Sequence, residues 1–249
     1  MLKVYRMRVL ALDSTTRAGS VALVENDVVI DERGGDASRT HGLRLPAELA
    51  QLGAAWTTID VFAVASGPGS FTGLRIGIAT MQGLALVTKR LVAGISALDA
   101  LAQIASRHVA AGSLIASWID AQRGEVFSAL YRATAAPLFT PERLMLLEAP
   151  AVAGPEFTLQ SWAQYDLSSA VFAGDGALRY ASTIQARCRD AQIAAPALLA
   201  GAIGRMAAAG TSSGLAVSPA AIHPLYVRRP DVELHREHTQ SPRSGQGST

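Results

Sequence analysis

Cysteine is nearly missing from this chain: Cys188 is the only one in 249 residues. A single thiol can form neither an internal disulfide nor a thiolate metal cluster, so a disulfide scaffold and a zinc ribbon are both excluded. Net charge is nearly missing too, at +2 from 22 basic and 20 acidic residues. That rules out a broad basic footprint for nucleic acid, so any such contact has to be local or supplied by a partner. The chain is 49% hydrophobic and only 17% charged, yet no uninterrupted run approaches the ~18 apolar residues of a membrane helix. Residues 1–6 lead straight into a strand without a signal-peptide core or cleavage site, so a cytoplasmic protein without membrane association is expected. No H-E-x-x-H occurs, and His41, His223, His235 and His238 show no ligand spacing, so no metal site is expected. His41, alone near a helix start, reads as a cap or surface residue.

What is present is a glycine-rich turn. Residues 66–75 read Ser-Gly-Pro-Gly-Ser-Phe-Thr-Gly-Leu-Arg, after the apolar run 61–65 and before the apolar segment 74–87. Strand-to-helix turns of this kind turn backbone N–H groups toward anions. The spacing excludes the common versions. Counted from Gly67 and Gly69, the third glycine of a dinucleotide fingerprint should be at position 72, which is Thr72. Ser70 lacks the flanking glycines of a nucleophile elbow, and no lysine closes a Walker loop.

Strand-like runs at 8–13, 19–25 and 28–33 predict an antiparallel meander. A helix over 43–54 follows, with Leu45, Leu49 and Leu52 on one stripe, then strand 61–65, helix 74–87, strand 91–95 and helix 97–107. The second half, from Ser113, repeats this logic less clearly: a hairpin of 114–120 and 125–132, strands at 143–147 and 171–173, and helices at 177–187 and 196–209. Residues from His235 onward are polar and predicted to be a disordered tail. The expected division is a first lobe over 1–110, a second over 111–234, and the tail 235–249.

Asp13-Ser14-Thr15-Thr16 falls in the first hairpin. It reads either as an Asx or Ser/Thr turn closing on its own backbone, or as a phosphate-gripping hairpin whose acid faces a cation. Gly174-Asp175-Gly176 is a turn by default, with a nucleotide-facing role as the alternative, and Arg228-Arg229-Pro230-Asp231 reads as a post-strand turn. The 74–87 helix is apolar nearly all round and carries glycines, which cost about 1 kcal/mol each in mid-helix. Its outer side must be covered either by a neighbouring helix or by a second protein approaching at Gly73, Gly77 and Thr80.

Three segments together resemble one family. They are Leu10-Ala11-Leu12-Asp13-Ser14-Thr15-Thr16 with Gly19-Ser20-Val21-Ala22-Leu23, the run from Ser66 through Gly77, and Pro224-Leu225-Tyr226-Val227-Arg228-Arg229-Pro230. The family is bacterial TsaB (YeaZ), the dimerisation subunit of the tRNA threonylcarbamoyladenosine-synthesis machinery. The resemblance implies an α/β fold of the ASKHA (actin/sugar-kinase/Hsp70-like) class, with two related lobes of mixed sheets flanked by helices. It implies a non-catalytic partner of a homologous transferase of the TsaD family. That enzyme moves a threonylcarbamoyl group from its adenylate to N6 of the adenosine beside the anticodon, in tRNAs reading codons that begin with A. A small ATPase of the TsaE family joins the assembly, tRNA is met mainly through the complex, and a homodimer competes. No cofactor is required, and weak ATP or ADP binding is assigned to Asp13, Ser14, Thr15, Thr16, Gly174 and Asp175. The partner interface is assigned to Leu45, Leu49, Gly73, Ile76, Gly77, Thr80 and Leu84. The catalytic relative resembles a metalloenzyme with paired histidines on its first helix, whereas His41 here stands alone. The rival expectation is an autonomous ASKHA phosphotransferase using ATP, with Asp13 holding Mg²⁺.

Overall fold

The computed structural model describes residues 6–227. The tail 235–249 and the Arg228–Asp231 turn, with His235 and His238, lie outside the described residues.

Strands β1 (Arg8–Asp13), β2 (Ser20–Glu25) and β3 (Val28–Gly34) form the expected antiparallel meander. Helix α1 (His41–Gln51) follows, then β4 (Val61–Gly67), α2 (Phe71–Thr88), β5 (Leu91–Ser96) and α3 (Ala97–Ala105). α1 stops three residues earlier than its pattern suggests because Gly53 takes φ +64°, the left-handed conformation that ends helices. α2 starts three residues earlier because the Ser70 hydroxyl accepts from Gly73 N–H, an N-cap that adds a turn.

The second half carries β6 (Leu114–Asp120), β7 (Val126–Ala133), β8 (Leu144–Ala153), α4 (Pro155–Ser161), β9 (Val171–Ala173), α5 (Asp175–Arg179), α6 (Ala181–Arg187), β10 (Gln192–Ile193), α7 (Ala200–Gly210) and β11 (Ala216–Val217). β8 is twice its expected length and tolerates Pro150 because it is an edge strand. α4, opened by Pro155 at its first position, carries no periodic apolar stripe long enough to predict. The helix expected over 177–187 is split at Tyr180.

The strand orders are β11-β5-β4-β1-β2-β3 and β10-β9-β6-β7-β8. Each sheet is an antiparallel meander whose first strand continues into parallel partners, so the second lobe repeats the first. Alternation along β1 sorts the core into layers. Leu10 and Leu12 meet Leu45 and Leu49 of α1 and Ile78 and Met81 of α2, while Val9 and Ala11 meet α3 and α7 on the opposite face. α3 and α7 are thus sandwiched between the two sheets, and α4 to α6 cover the outer face of the second through Leu159, Trp162 and Ile184. α7 and β11 come late in the chain yet belong to the first sheet, with β11 antiparallel to β5. Gly204 of α7 lies so close to Val24 that an added Cβ would stand 2.6 Å from its Cγ2.

α2 is the one described helix long and apolar enough to cross a membrane by length and composition. Its place in the fold explains that composition. Leu74, Ile78, Met81 and Ala85 face inward, and the Gln82 side-chain amide donates to the carbonyls of Pro219 and Ile222 on a second side.

Candidate functional site

The hairpin joining β1 to β2 is closed by its own side chains. Asp13 Oδ1 accepts from Thr15 N–H at 2.8 Å and from Thr15 Oγ1 at 2.6 Å, and Thr16 Oγ1 accepts from Gly19 N–H at 3.1 Å. These are the bonds of an Asx and a Ser/Thr turn, with the Thr15 hydroxyl donating and the Thr16 hydroxyl accepting within the loop. The glycine-rich turn is likewise closed: Ser70 N–H donates to Thr15 O at 2.8 Å, and Leu74 N–H to Ser70 O at 2.8 Å. Its glycines let two backbones touch. A Cβ on Gly73 or Gly77 would drive into Ser14, at the carbonyl oxygen and at Oγ respectively. Ser14 is fully buried, and its hydroxyl has no hydrogen-bond partner.

Beneath the hairpin lies a buried cation. The Arg44 guanidinium, 2% exposed, binds both Glu48 carboxylate oxygens at 2.7 Å and donates to the carbonyls of Arg17 and Ala18. It also reaches His41 Nδ1 at 2.7 Å. Arginine can only donate, so Nδ1 accepts and Nε2 carries the proton given to Thr16 O at 3.0 Å. Burial first, and then the Arg44 charge, hold His41 below its ordinary pKa. His41 is therefore a buried clamp rather than the expected cap or surface residue, because α1 begins two residues earlier and carries it under the hairpin. Both ring nitrogens are engaged, and the residue one turn on, Leu45, is core, so these residues do not fit a metal ion. Among the described residues no group of three or more His, Cys, Asp or Glu is placed to hold one.

Between the lobes opens a cleft of about 1180 Å³. It brings together Asp13, Thr15 and Thr16 from the first lobe with Gly174 and Asp175 from the second, whereas Ser14 turns away beneath α2. Asp175 Oδ1 accepts from the amides of Asp120 and Gly176, each at 2.9 Å. Burial raises the pKa of Asp13, the Asp175 charge adds to that rise, and the Thr15 hydrogen bonds oppose it. Asp175 is raised as well, by burial and then by the Asp120 charge. Two reluctant carboxylates therefore face one another across an otherwise largely apolar cleft. Among the described residues no cysteine or histidine lines it, so those residues offer no thiol or imidazole there for nucleophilic catalysis.

Sequence reasoning missed Asp120, which also lines the cleft and pairs with Arg179 at 3.2 Å. A signal was there: β6 ends in Asp120 before a hairpin as β1 ends in Asp13. The expected interface residues divide by exposure. Leu45, Leu49, Gly73 and Gly77 face inward and touch their own chain, so they are not available to a partner. Ile76, Thr80 and Leu84 are half-buried.

Two sheets of matching topology about a cleft define a two-lobed ASKHA-class protein. The family described as TsaD, tRNA N6-adenosine threonylcarbamoyltransferase, matches residues 31–221. The tRNA threonylcarbamoyladenosine biosynthesis protein TsaB of Escherichia coli is 41% identical over 130 residues, 51% of this chain and 55% of that protein. The chain thus spans about half the length of the curated TsaB proteins it matches. An uncharacterized protein of Mycobacterium bovis is 30% identical over 94% of this chain and 97% of its own. The solved structure of YeaZ from Pseudomonas aeruginosa is 30% identical with a TM-score of 0.72, covering 88% of this chain and 99% of that one. The chain belongs to the TsaB/YeaZ family.

Proposed function

We propose that this chain is a non-catalytic, cytoplasmic partner subunit in tRNA threonylcarbamoyladenosine formation, which binds and activates a homologous transferase of the TsaD family. The observation that carries the reading is the outward surface of α1 and α2. Exposed Gly42, Leu43, Pro46, Ala47 and Ala50 of α1 and Ala79, Gly83, Leu86 and Val87 of α2 are apolar or glycine, while the exposed polar residues, Gln51, Thr72 and Arg75, lie at the end of α1 and in the first turns of α2. Leu43, Leu86 and Val87 are 69%, 65% and 85% exposed. An exposed patch of small and aliphatic residues bordered by polar ones marks a protein interaction site. Gly83, with nothing within 4 Å of an added Cβ, offers the close backbone approach that Gly77 cannot. Ile76, Thr80 and Leu84 flank that face. Docking needs no cofactor. A TsaE-type ATPase and tRNA join through the transferase, and a homodimer competes for the same helices.

The test is co-purification and sedimentation with the transferase subunit of the same host, with Val87→Asp and Gly83→Arg as surface variants. Each is expected to weaken the heterodimer tenfold or more while leaving the monomer's unfolding midpoint within a few degrees. Unchanged heterodimer formation in both variants would end the reading. ATP turnover by the chain alone, abolished in Asp13→Asn, would replace it with the phosphotransferase.

A further inference from the structure

At the rim of the cleft, the first residue of α2 meets the C-terminal end of the described chain. The Phe71 and Tyr226 rings lie 5.3 Å apart between centroids at 31°, and each residue is 40% exposed. Arg75 holds them in place: its guanidinium carbon is 3.9 Å from the Phe71 centroid, and its Nε donates to the Tyr226 hydroxyl at 3.0 Å. The backbone beneath is fixed as well, since Leu225 N–H donates to Ser66 O at 2.7 Å. Both rings line the cleft, with Arg17 and Arg123 also on its wall.

We infer that Phe71, Arg75 and Tyr226 form a stacking site for one unpaired nucleobase of a single-stranded RNA loop. Partly exposed aromatic residues held beside a guanidinium are the chemistry with which proteins receive splayed-out bases, and the nearby Arg17 suits a flanking phosphate. The rings are preorganised by Arg75, so a base that lands on them spends little on ordering side chains. The scale also fits the charge: at +2 overall, the chain can supply a local base contact but no extended phosphate track. Phe71 precedes Gly83 by about 18 Å along α2, so base and partner can be bound together. The inference rests on the proposed role in tRNA modification, since that role supplies the RNA.

The experiment has two arms. In the first, the full chain assembled with its transferase subunit is titrated with a fluorescent, unmodified anticodon stem-loop RNA, and sedimentation monitors the assembly. Tyr226→Ala and Phe71→Ala are each expected to weaken RNA binding about tenfold with assembly unchanged, and Tyr226→Phe, which keeps the ring but loses the Arg75 hydrogen bond, is expected to lose less than either. Affinity within twofold of wild type in both alanine variants overturns the inference. So does loss of assembly in those variants, which would make the patch a protein contact. In the second arm, the chain alone is photo-crosslinked to the same RNA carrying 5-bromouridine in its loop. Crosslinks are expected at Phe71 or Tyr226, competed by single-stranded but not duplex RNA. Crosslinks confined elsewhere, or none, overturn it. Failure of the wild-type chain to assemble tells against the partner role, and the second arm then decides the base site by itself.

Discussion

Replacing Gly77 by alanine is expected to destabilise the protein even though it improves a helix. Alanine in mid-helix is favoured over glycine by about 1 kcal/mol. At Gly77, however, the added methyl would overlap Ser14 Oγ, stand 3.1 Å from Ser14 Cβ and 3.4 Å from Leu12 Cδ2. Ser14 and Leu12 are both fully buried, so neither has room to withdraw. Overpacking of this kind costs about 1–3 kcal/mol, which leaves a net loss of up to about 2 kcal/mol. Gly83, six residues on, has open space where its Cβ would be, so Gly83→Ala is expected to gain about 1 kcal/mol. Urea denaturation of both variants and of the Gly77→Ala/Ser14→Ala pair measures all three quantities. The pair is expected to recover at least half the loss, because it removes the overlapping hydroxyl. Gly77→Ala matching or exceeding Gly83→Ala in stability would refute the packing argument.

Asp13 and His41 make two predictions about pH. Asp13 has a raised pKa in the fold, so its contribution is complete below the ordinary value of 3.8 and is lost as pH rises through the folded value. Asp13→Asn, which keeps an oxygen for Thr15, is therefore expected to stabilise the protein at pH 7. Its advantage should shrink steadily toward pH 4.5 in urea titrations; an advantage that grows on acidification would contradict this. His41 has a lowered pKa, so its contribution is complete above 6.5 and drains away as pH falls through the folded value. The wild-type midpoint should decline from pH 7.5 to 5.5, and His41→Gln should flatten that decline; parallel curves would show that His41 does not titrate in this way.

The core strands were legible because β1, β4 and β6 are buried on both faces and read as short apolar runs. α2 was legible as a helix but not in its orientation. With apolar residues all round, periodicity cannot say which glycine meets its own chain and which meets solvent, so Gly77, expected at a partner's surface, packs against Ser14 instead. Asp13 and Asp175 were each nominated from local turns, yet their facing one another depends on lobes far apart in sequence. The Arg44 clamp left no local trace, since a helical arginine four residues before a glutamate ordinarily marks a solvated pair. Only the fold over it, with Gly35 leaving the space its guanidinium fills, makes it a buried one.

The placement of α7 bears on how the molecule comes into being. By the time residue 105 has been synthesised, five strands of the first sheet exist, but the face bearing Val9, Ala11, Ala22 and Val24 is completed by a helix made only at Ala200–Gly210. A nascent or truncated first lobe, with only α3 on that face, therefore presents a half-covered apolar sheet, the kind of surface that aggregates or recruits chaperones. The two lobes repeat each other in design, yet the earlier one cannot mature before the later one has been threaded through. Cutting the chain between the lobes is therefore expected to leave an insoluble first piece instead of a small independent domain.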